Sequence, residues 1–243
     1  MRTFVLIHGA GDGGWSWHLV EAALRACGHD VVAPDLPADD ESTLTDYADA
    51  VVRAVDGRRD LVVVGHSYGA FTAPLVAERL AVDLLVLVAG MIPSPGESPD
   101  DWWTNTDYRI AKAEHAVRDG GLTGNPDPFV CFYHDVPREL AERAMNAERA
   151  HPSQASMAEP WPLAAWPDVP TKLVLCTEDR CFPPDFMRRL AAERLGVVPD
   201  EIAGGHCPAL SRPLALADLL ASYAAQDTRT RTRTARRTPW QSR

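Results

Sequence analysis

The sequence predicts an α/β fold, a mainly parallel sheet with helices on both faces and one inserted helical cap. Three observations predict it: strand and helix patterns alternate along the chain, the strand candidates are continuous apolar runs, and a single 80-residue stretch interrupts the rhythm. Strands without polar alternation are buried on both faces, the condition of a parallel sheet between two helical layers.

Thr3 to Ile7 is a β-rich apolar run. In Trp15 to Cys27, the residues Val20, Ala23, Leu24 and Cys27 recur at helical spacing before Gly28 stops the pattern. A short strand is expected at Val31 to Pro34. From Ser42 to Val55, Leu44, Tyr47, Ala48, Val51, Val52 and Val55 repeat at three and four, an amphipathic helix that Gly57 ends. Leu61 to Val64 reads as a strand buried on both faces, Gly69 to Leu80 as a helix, and Leu84 to Ala89 as a strand. Later come a strand at Lys172 to Cys176, a helix at Pro184 to Leu195 and a strand near Val197 to Ile202. The closing helix places Leu216, Leu219, Leu220 and Tyr223 on one face.

Residues 91–170 break the pattern. They hold four of the seven tryptophans and are rich in proline, and Pro137 to Ala150 reads as one of their helices. The segment is far longer than an ordinary crossover. An insertion at the carboxyl edge of a parallel sheet lies where ligands bind, so it reads as a cap over a pocket, with an elaborated surface loop as the alternative. Residues 1–90 and 171–225 then form the core, and 226–243 a tail.

Composition narrows the function. Of 243 residues, 46% are hydrophobic and 24% charged, ordinary globular values. The longest apolar stretch, Leu84 to Ile92, is nine residues, too short to span a bilayer. Phe4 to Ile7 is too short for the apolar region of a signal peptide, so a soluble, cytoplasmic protein without membrane partners is expected. Five cysteines without a CxxC pair suit reduced thiols. The net charge of −10 divides into −15 over residues 1–225 and +5 over 226–243, where six arginines face one acid. An acidic body repels a phosphate backbone, which argues against nucleic acid as a partner. The Thr-Arg tail is low-complexity and expected to be disordered, a basic arm for an anionic partner being the other reading. Cys207 adjoins His206, but zinc spacings are missing, so neither a metal nor a cofactor is expected.

Two motifs compete for the chemistry. Gly9-Ala10-Gly11-Asp12-Gly13-Gly14 is a G-x-G-x-x-G between strand and helix, and Asp35 lies 21 residues beyond Gly14, as in a dinucleotide fingerprint. Gly65-His66-Ser67-Tyr68-Gly69 is a G-x-S-x-G following a buried strand and opening a helix, where a tight turn exposes the serine. The second motif has partners. Glu178 and Asp179 follow the strand at Lys172 to Cys176, and Gly204-Gly205-His206 follows the next one. Serine, acid and histidine thus occur in the chain order of α/β hydrolases. A serine hydroxyl is a poor nucleophile until a base takes its proton, and a buried carboxylate orients that base.

At these residues the sequence resembles the α/β-hydrolase superfamily. His8-Gly9-Ala10, Gly14-Trp15-Ser16-Trp17, Gly28-His29, Ala33-Pro34-Asp35-Leu36, Gly65 to Gly69 and Gly204-Gly205-His206 look like its branch of plant methylesterases and hydroxynitrile lyases, with bacterial esterase-like relatives. The resemblance covers residues 3 to about 90 and 170 to 223, and the cap only loosely. It implies an oxyanion hole from the amides of Ala10 and Tyr68, Asp179 as the acid, and a strand-end or capping role for Asp35. Lyases of this branch carry a threonine after the first-strand histidine and a lysine after the catalytic histidine; here those positions are Gly9 and Cys207, which disfavours cyanogenic chemistry.

The expected function is therefore hydrolysis of a small carboxylic ester, a methyl ester or lactone among the candidates, with Ser67, His206 and Asp179 as catalytic residues. A lyase, a C–C hydrolase or a biosynthetic cyclase on the same site is the alternative, and a ligand-binding module a further one. Trp103, Phe132, Trp161 and Trp166 are candidates for the pocket wall because the cap is the only aromatic-rich segment near the site, although aromatic residues also build cores. His8 and His66 read as structural residues or as part of the site wall. The other histidines have no assigned role.

Overall fold

A computed structural model describes residues 1–235 apart from Glu148 and Ala150, with side chains as far as Ala225. Six strands, β1 (Thr3–Ile7), β2 (Asp30–Val32), β3 (Leu61–His66), β4 (Val82–Val88), β5 (Thr171–Cys176) and β6 (Asp200–Ile202), form one sheet in the order β2-β1-β3-β4-β5-β6. Every neighbouring pair is parallel. Ile7 lies opposite Gly65, His66 opposite Val88, and Cys176 opposite Ile202, so the carboxyl ends of the strands share one edge.

Successive side chains on a strand face opposite ways, and the core divides accordingly. Val5, Ile7, Val63, Leu85 and Leu87 pack under α2 (Leu44–Val55), α3 (Gly69–Arg79) and α9 (Pro184–Leu195). Phe4, Leu6, Val62, Val64 and Val86 pack under α1 (His18–Ala26) and α11 (Pro213–Ala235). The predicted periodicity of α2 is met by Leu44, Tyr47, Ala48, Val51 and Val55, all buried, and Thr43 and Asp46 close its first turn as a reciprocal capping box.

Between β4 and β5 lie α4 (Pro99–Asn105), α5 (Tyr108–Arg118), α6 (Pro128–Cys131), α7 (Arg138–Asn146) and α8 (Gln154–Ala158). This insert is tied to the core by polar contacts. Trp161 Nε1 donates to the Phe71 carbonyl, whereas Trp102 Nε1 donates within the insert, to the Ile92 carbonyl. Tyr108 donates to the Cys181 carbonyl, Ser153 N donates to the Tyr47 hydroxyl, and Arg194 is paired with Glu97. The short α10 (Pro208–Ser211) links β6 to α11.

Some boundaries differ from expectation. The first helix is preceded by a 3-10 turn at Gly14–Trp17. β6 begins only at Asp200, because Gly196 ends α9 in the left-handed conformation and Pro199 has no N–H to give a ladder. α7 stops at Asn146 rather than reaching Ala150, which lies outside the described residues: Arg149 N and the His151 carbonyl are bonded to Gly11 instead of to a helical turn. α11 carries its backbone to Ala235, ten residues into the segment expected to be disordered, continuing a helix whose earlier turns are packed on the core through Leu216, Leu220 and Tyr223. Residues 236–243 of that segment lie outside the described residues. Among the described residues no helix is long and apolar enough to cross a membrane.

Candidate active site

The site is assembled from the carboxyl ends of β1, β3, β5 and β6. Ser67 follows β3 with φ +49°, a left-handed conformation uncommon for a residue with a side chain and strained by about 1–3 kcal/mol. Neighbouring hydrogen bonds hold the turn: Ser67 N donates to the Val88 carbonyl, and the Ser67 carbonyl accepts from Met91 N at 3.0 Å. Gly69 is required where α3 starts, since a Cβ there would stand 2.6 Å from the His8 carbonyl oxygen and 2.8 Å from that of Ile7.

The loop after β5 delivers Asp179. Its Oδ1 accepts from the amides of Cys181 at 2.7 Å and Phe182 at 2.9 Å, and its Oδ2 faces His206 Nδ1 at 2.8 Å. Glu178, the neighbouring acid, is exposed, and its backbone rather than its carboxylate is engaged: N donates to the Gly204 carbonyl, and the carbonyl meets His134 Nε2. On the far side of the loop after β6, Gly205 N donates to Asp135 Oδ2 at 2.9 Å. His206 Nε2 then lies 3.0 Å from Ser67 Oγ. Because Asp179 Oδ2 can only accept, His206 Nδ1 carries the proton and Nε2 is left to accept from the serine hydroxyl.

All three side chains are buried, Ser67 being the most exposed at 9%. Burial works against a charged His206, but the Asp179 carboxylate outweighs it through charge and hydrogen bonding and raises the imidazole above its ordinary pKa. The other histidines of the site behave oppositely. Burial, reinforced by the nearby His206, pushes His66 down to about 3; burial takes His151 to about 3 and His8 to about 4.

The segment after β1 lies against the serine. A Cβ at Gly9 would stand 3.0 Å from His66 Nδ1 and 3.1 Å from Ser67 Cβ. His8 fixes this segment by donating from Nδ1 to the Gly9 carbonyl while its Nε2 accepts from Leu36 N. Gly11 is bonded in both directions to the insert, its N to the His151 carbonyl at 2.7 Å and its carbonyl to Arg149 N at 2.9 Å. Among the described residues, the amides of Ala10 and Tyr68 have no backbone acceptor.

A cavity of about 460 Å³ opens over Ser67. Gly9, Ala10, Asp12, His66, His206 and Cys207 line it from the core, and Pro126, Pro128, Phe132, Tyr133, Met145 and His151 from the insert. Of the four aromatic residues expected in its wall only Phe132 is there, 5.5 Å from the His206 ring. The other three are corrected. Trp161 is buried with its indole on Phe71, and Trp166 packs against Trp161 and donates to Thr171. Trp103 packs against Trp102, Tyr108 and Phe182. Large apolar rings fill the seam between insert and core, where most surface is removed from water. Asp12, Tyr133, Met145 and His151 are lining residues that sequence reasoning did not single out. Asp35 accepts from Gly14 N at 2.8 Å and pairs with Arg149, so its carboxylate serves the loop itself. Among the described residues no His, Cys, Asp or Glu cluster suits a metal ion.

A parallel sheet with a serine on a strand-to-helix elbow, and an acid and a histidine after later strands, is the arrangement of α/β hydrolases. The chain belongs to the alpha/beta hydrolase family, which it matches over residues 4–219. It is 25% identical over 255 residues to norfluorocurarine synthase 1 of Strychnos sp, covering 92% of this chain and 95% of that protein. It is 27% identical over 252 residues to methylesterase 3 of Arabidopsis thaliana, covering 90% and 95%. Crystalline polyneuridine aldehyde esterase superposes with a TM-score of 0.72 at 21% identity, covering 92% of this chain and 99% of that one.

Proposed function

We propose that the protein is a serine hydrolase that cleaves a small carboxylic ester, a methyl ester or a lactone among the candidates, through an acyl-enzyme. The observation that carries this reading is the unbroken hydrogen-bond chain from Asp179 through His206 to Ser67 beneath a cavity. His206 Nε2 takes the hydroxyl proton as Ser67 Oγ bonds to the carbonyl carbon, and the carbonyl electron pair moves onto oxygen. The amides of Ala10 and Tyr68 receive that oxyanion, each donor being worth about 3 kcal/mol in such sites. Collapse breaks the bond to the alkoxide, which leaves with the proton from His206. Water, deprotonated by the same nitrogen, then attacks the acyl group; the acid is released and Ser67 regains its proton.

Burial raises the Cys207 thiol, so the position after His206 holds a neutral group rather than a cation that would support cyanide. A biosynthetic reaction on the same site is the second reading, favoured by the relative that is named a synthase. The free cysteines are consistent with a reducing compartment such as the cytoplasm. The test is fluorophosphonate labelling with peptide mass spectrometry, alongside an ester panel with product analysis. An adduct on Ser67 that His206→Ala removes, with turnover lost in folded Ser67→Ala, is the expected result. Full esterase rate in Ser67→Ala would overturn the reading.

A further inference from the structure

The loop between α6 and α7 brings two consecutive side chains of the insert to the loops that carry the acid and the base. His134 Nε2 meets the carbonyl of Glu178 at 3.0 Å, one residue before Asp179. A carbonyl only accepts, so His134 donates from that nitrogen. Asp135 Oδ2 accepts from the amide of Gly205 at 2.9 Å, one residue before His206. The Asp135 side chain is 8% exposed, and Arg212, just after α10, stands 3.7 Å from the same oxygen. Gly205 fits closely against both residues: a Cβ there would stand 2.6 Å from His134 Nε2 and 2.7 Å from Asp135 Oδ1. His206 is thus held on two sides, through the preceding amide by Asp135 and through its own carbonyl by His66. The acid and base loops share one direct bond, from Glu178 N to the Gly204 carbonyl at 3.0 Å, and the dipeptide of the insert adds a second link between them.

We infer that His134 and Asp135 are positioning residues, which fix the spacing of Asp179 and His206 from the side of the insert. The inference rests on the serine-hydrolase reading for its chemistry. Neither side chain touches the reacting atoms; both act through the backbone next to a residue that does. A hydrogen bond from an amide to a carboxylate is stronger than one between neutral groups, so Asp135 is the firmer half of the clamp. Without it the amide of the buried Gly205 loses its acceptor, and the histidine loop is fixed on one side only. His206 Nε2 must carry a proton between Ser67 Oγ and the leaving oxygen, and a displacement of about 1 Å at such a group costs on the order of a hundredfold in rate. The His134 bond lies nearer the solvent and holds the acid loop less tightly.

The test takes two readouts on the full chain: the rate and the end point of fluorophosphonate labelling at Ser67, and kcat and KM on a chromogenic ester. Asp135→Ala is expected to slow labelling and lower kcat by at least about tenfold, with KM within about twofold, and Asp135→Asn, which keeps an acceptor oxygen, to recover most of both. His134→Phe, which keeps a ring and loses the donor, is expected to slow both by about threefold, and His134→Gln to recover the loss. Each slowed variant should still label to the full end point, whereas a variant that is partly unfolded labels at the wild-type rate to a lower one. Wild-type rates in Asp135→Ala, or a loss that Asp135→Asn shares in full, overturn the inference. Should Asp135→Ala fail to fold, the two His134 variants decide it by the same criteria. A wild type that is labelled but turns over no ester overturns the hydrolase reading alone, and the labelling rates of the variants still decide the inference; a wild type that does neither overturns both.

Discussion

His66 donates its Nε2 proton to the backbone carbonyl of His206 across 2.8 Å, so the residue preceding the serine anchors the residue that faces it. The two rings lie 5.1 Å apart and tilted by 49°, and the bond spans 140 positions of sequence, from the end of β3 to the loop after β6. The serine elbow and the histidine loop are thereby held to each other directly, without relying on the rest of the sheet edge. His66→Phe keeps an aromatic ring and removes the donor. Its expected effect is a fall in kcat on the order of tenfold to a hundredfold with little change in KM, the signature of a loosened general base. Steady-state kinetics on a chromogenic ester checks it, and His66→Gln, which restores a donor, is expected to recover part of the loss.

The pH profile follows from the sign of the His206 shift. Asp179 raises the imidazole above its usual value, and the proposed base must be neutral, so activity should fall with acid and the midpoint should lie above about 6.5. Removing the Asp179 charge by Asp179→Asn should move that midpoint down as well as slow the reaction. A kcat/KM profile from pH 5 to 9 on both proteins reads the two effects together.

Stability should depend on pH in a different way. His8, His66 and His151 have folded-state pKa values of about 4, 3 and 3, far below the unfolded value near 6.5. A group lowered by folding stabilises the native state above its unfolded pKa, and that contribution is lost as pH falls toward the folded value. At pH 5 the loss is about 2 kcal/mol for each of the three rings. Urea unfolding at pH 7.5, 6 and 5 should show a falling midpoint, and His151→Phe should flatten the slope.

The pair between Glu97 and Arg194 joins the start of the insert to α9. Arg194 Nη2 reaches Glu97 Oε1 at 2.8 Å, Asn105 and Ser94 N also donate to the carboxylate, and the Glu97 side chain is only 4% exposed. Arg194→Met leaves a buried carboxylate without its cation, a change that typically costs 3–5 kcal/mol in total, about that much being expected here. Glu97→Gln in the same chain should recover part of it. Thermal unfolding of the two single variants and the double variant measures the coupling.

The parallel sheet was legible because its strands are apolar without alternation, and α2 because its buried face repeats at three and four. Ser67 and His206 were legible because the elbow motif and the glycine pair before the histidine are local signals. The cap aromatics were not. Composition says that tryptophans leave water, but whether a ring goes to the cavity or to the seam depends on a partner such as the Phe71 carbonyl, which no spacing within the cap reveals. Asp12 was hidden for another reason: inside a glycine-rich segment it reads as a variable position, and only the fold sets it against His66. The end of α7 could not be read either, since Arg149 and His151 give up helical bonds for a loop more than 130 positions away.

That exchange at Gly11 couples two distant parts of the chain. The loop bearing Ala10 does not stand by itself: one stretch of the insert grips it through two main-chain bonds, at 2.7 and 2.9 Å. The position of that loop is therefore set by the insert as well as by β1, although more than 130 residues separate them in sequence. A substitution in the insert can in this way be felt beside Ser67 without touching it.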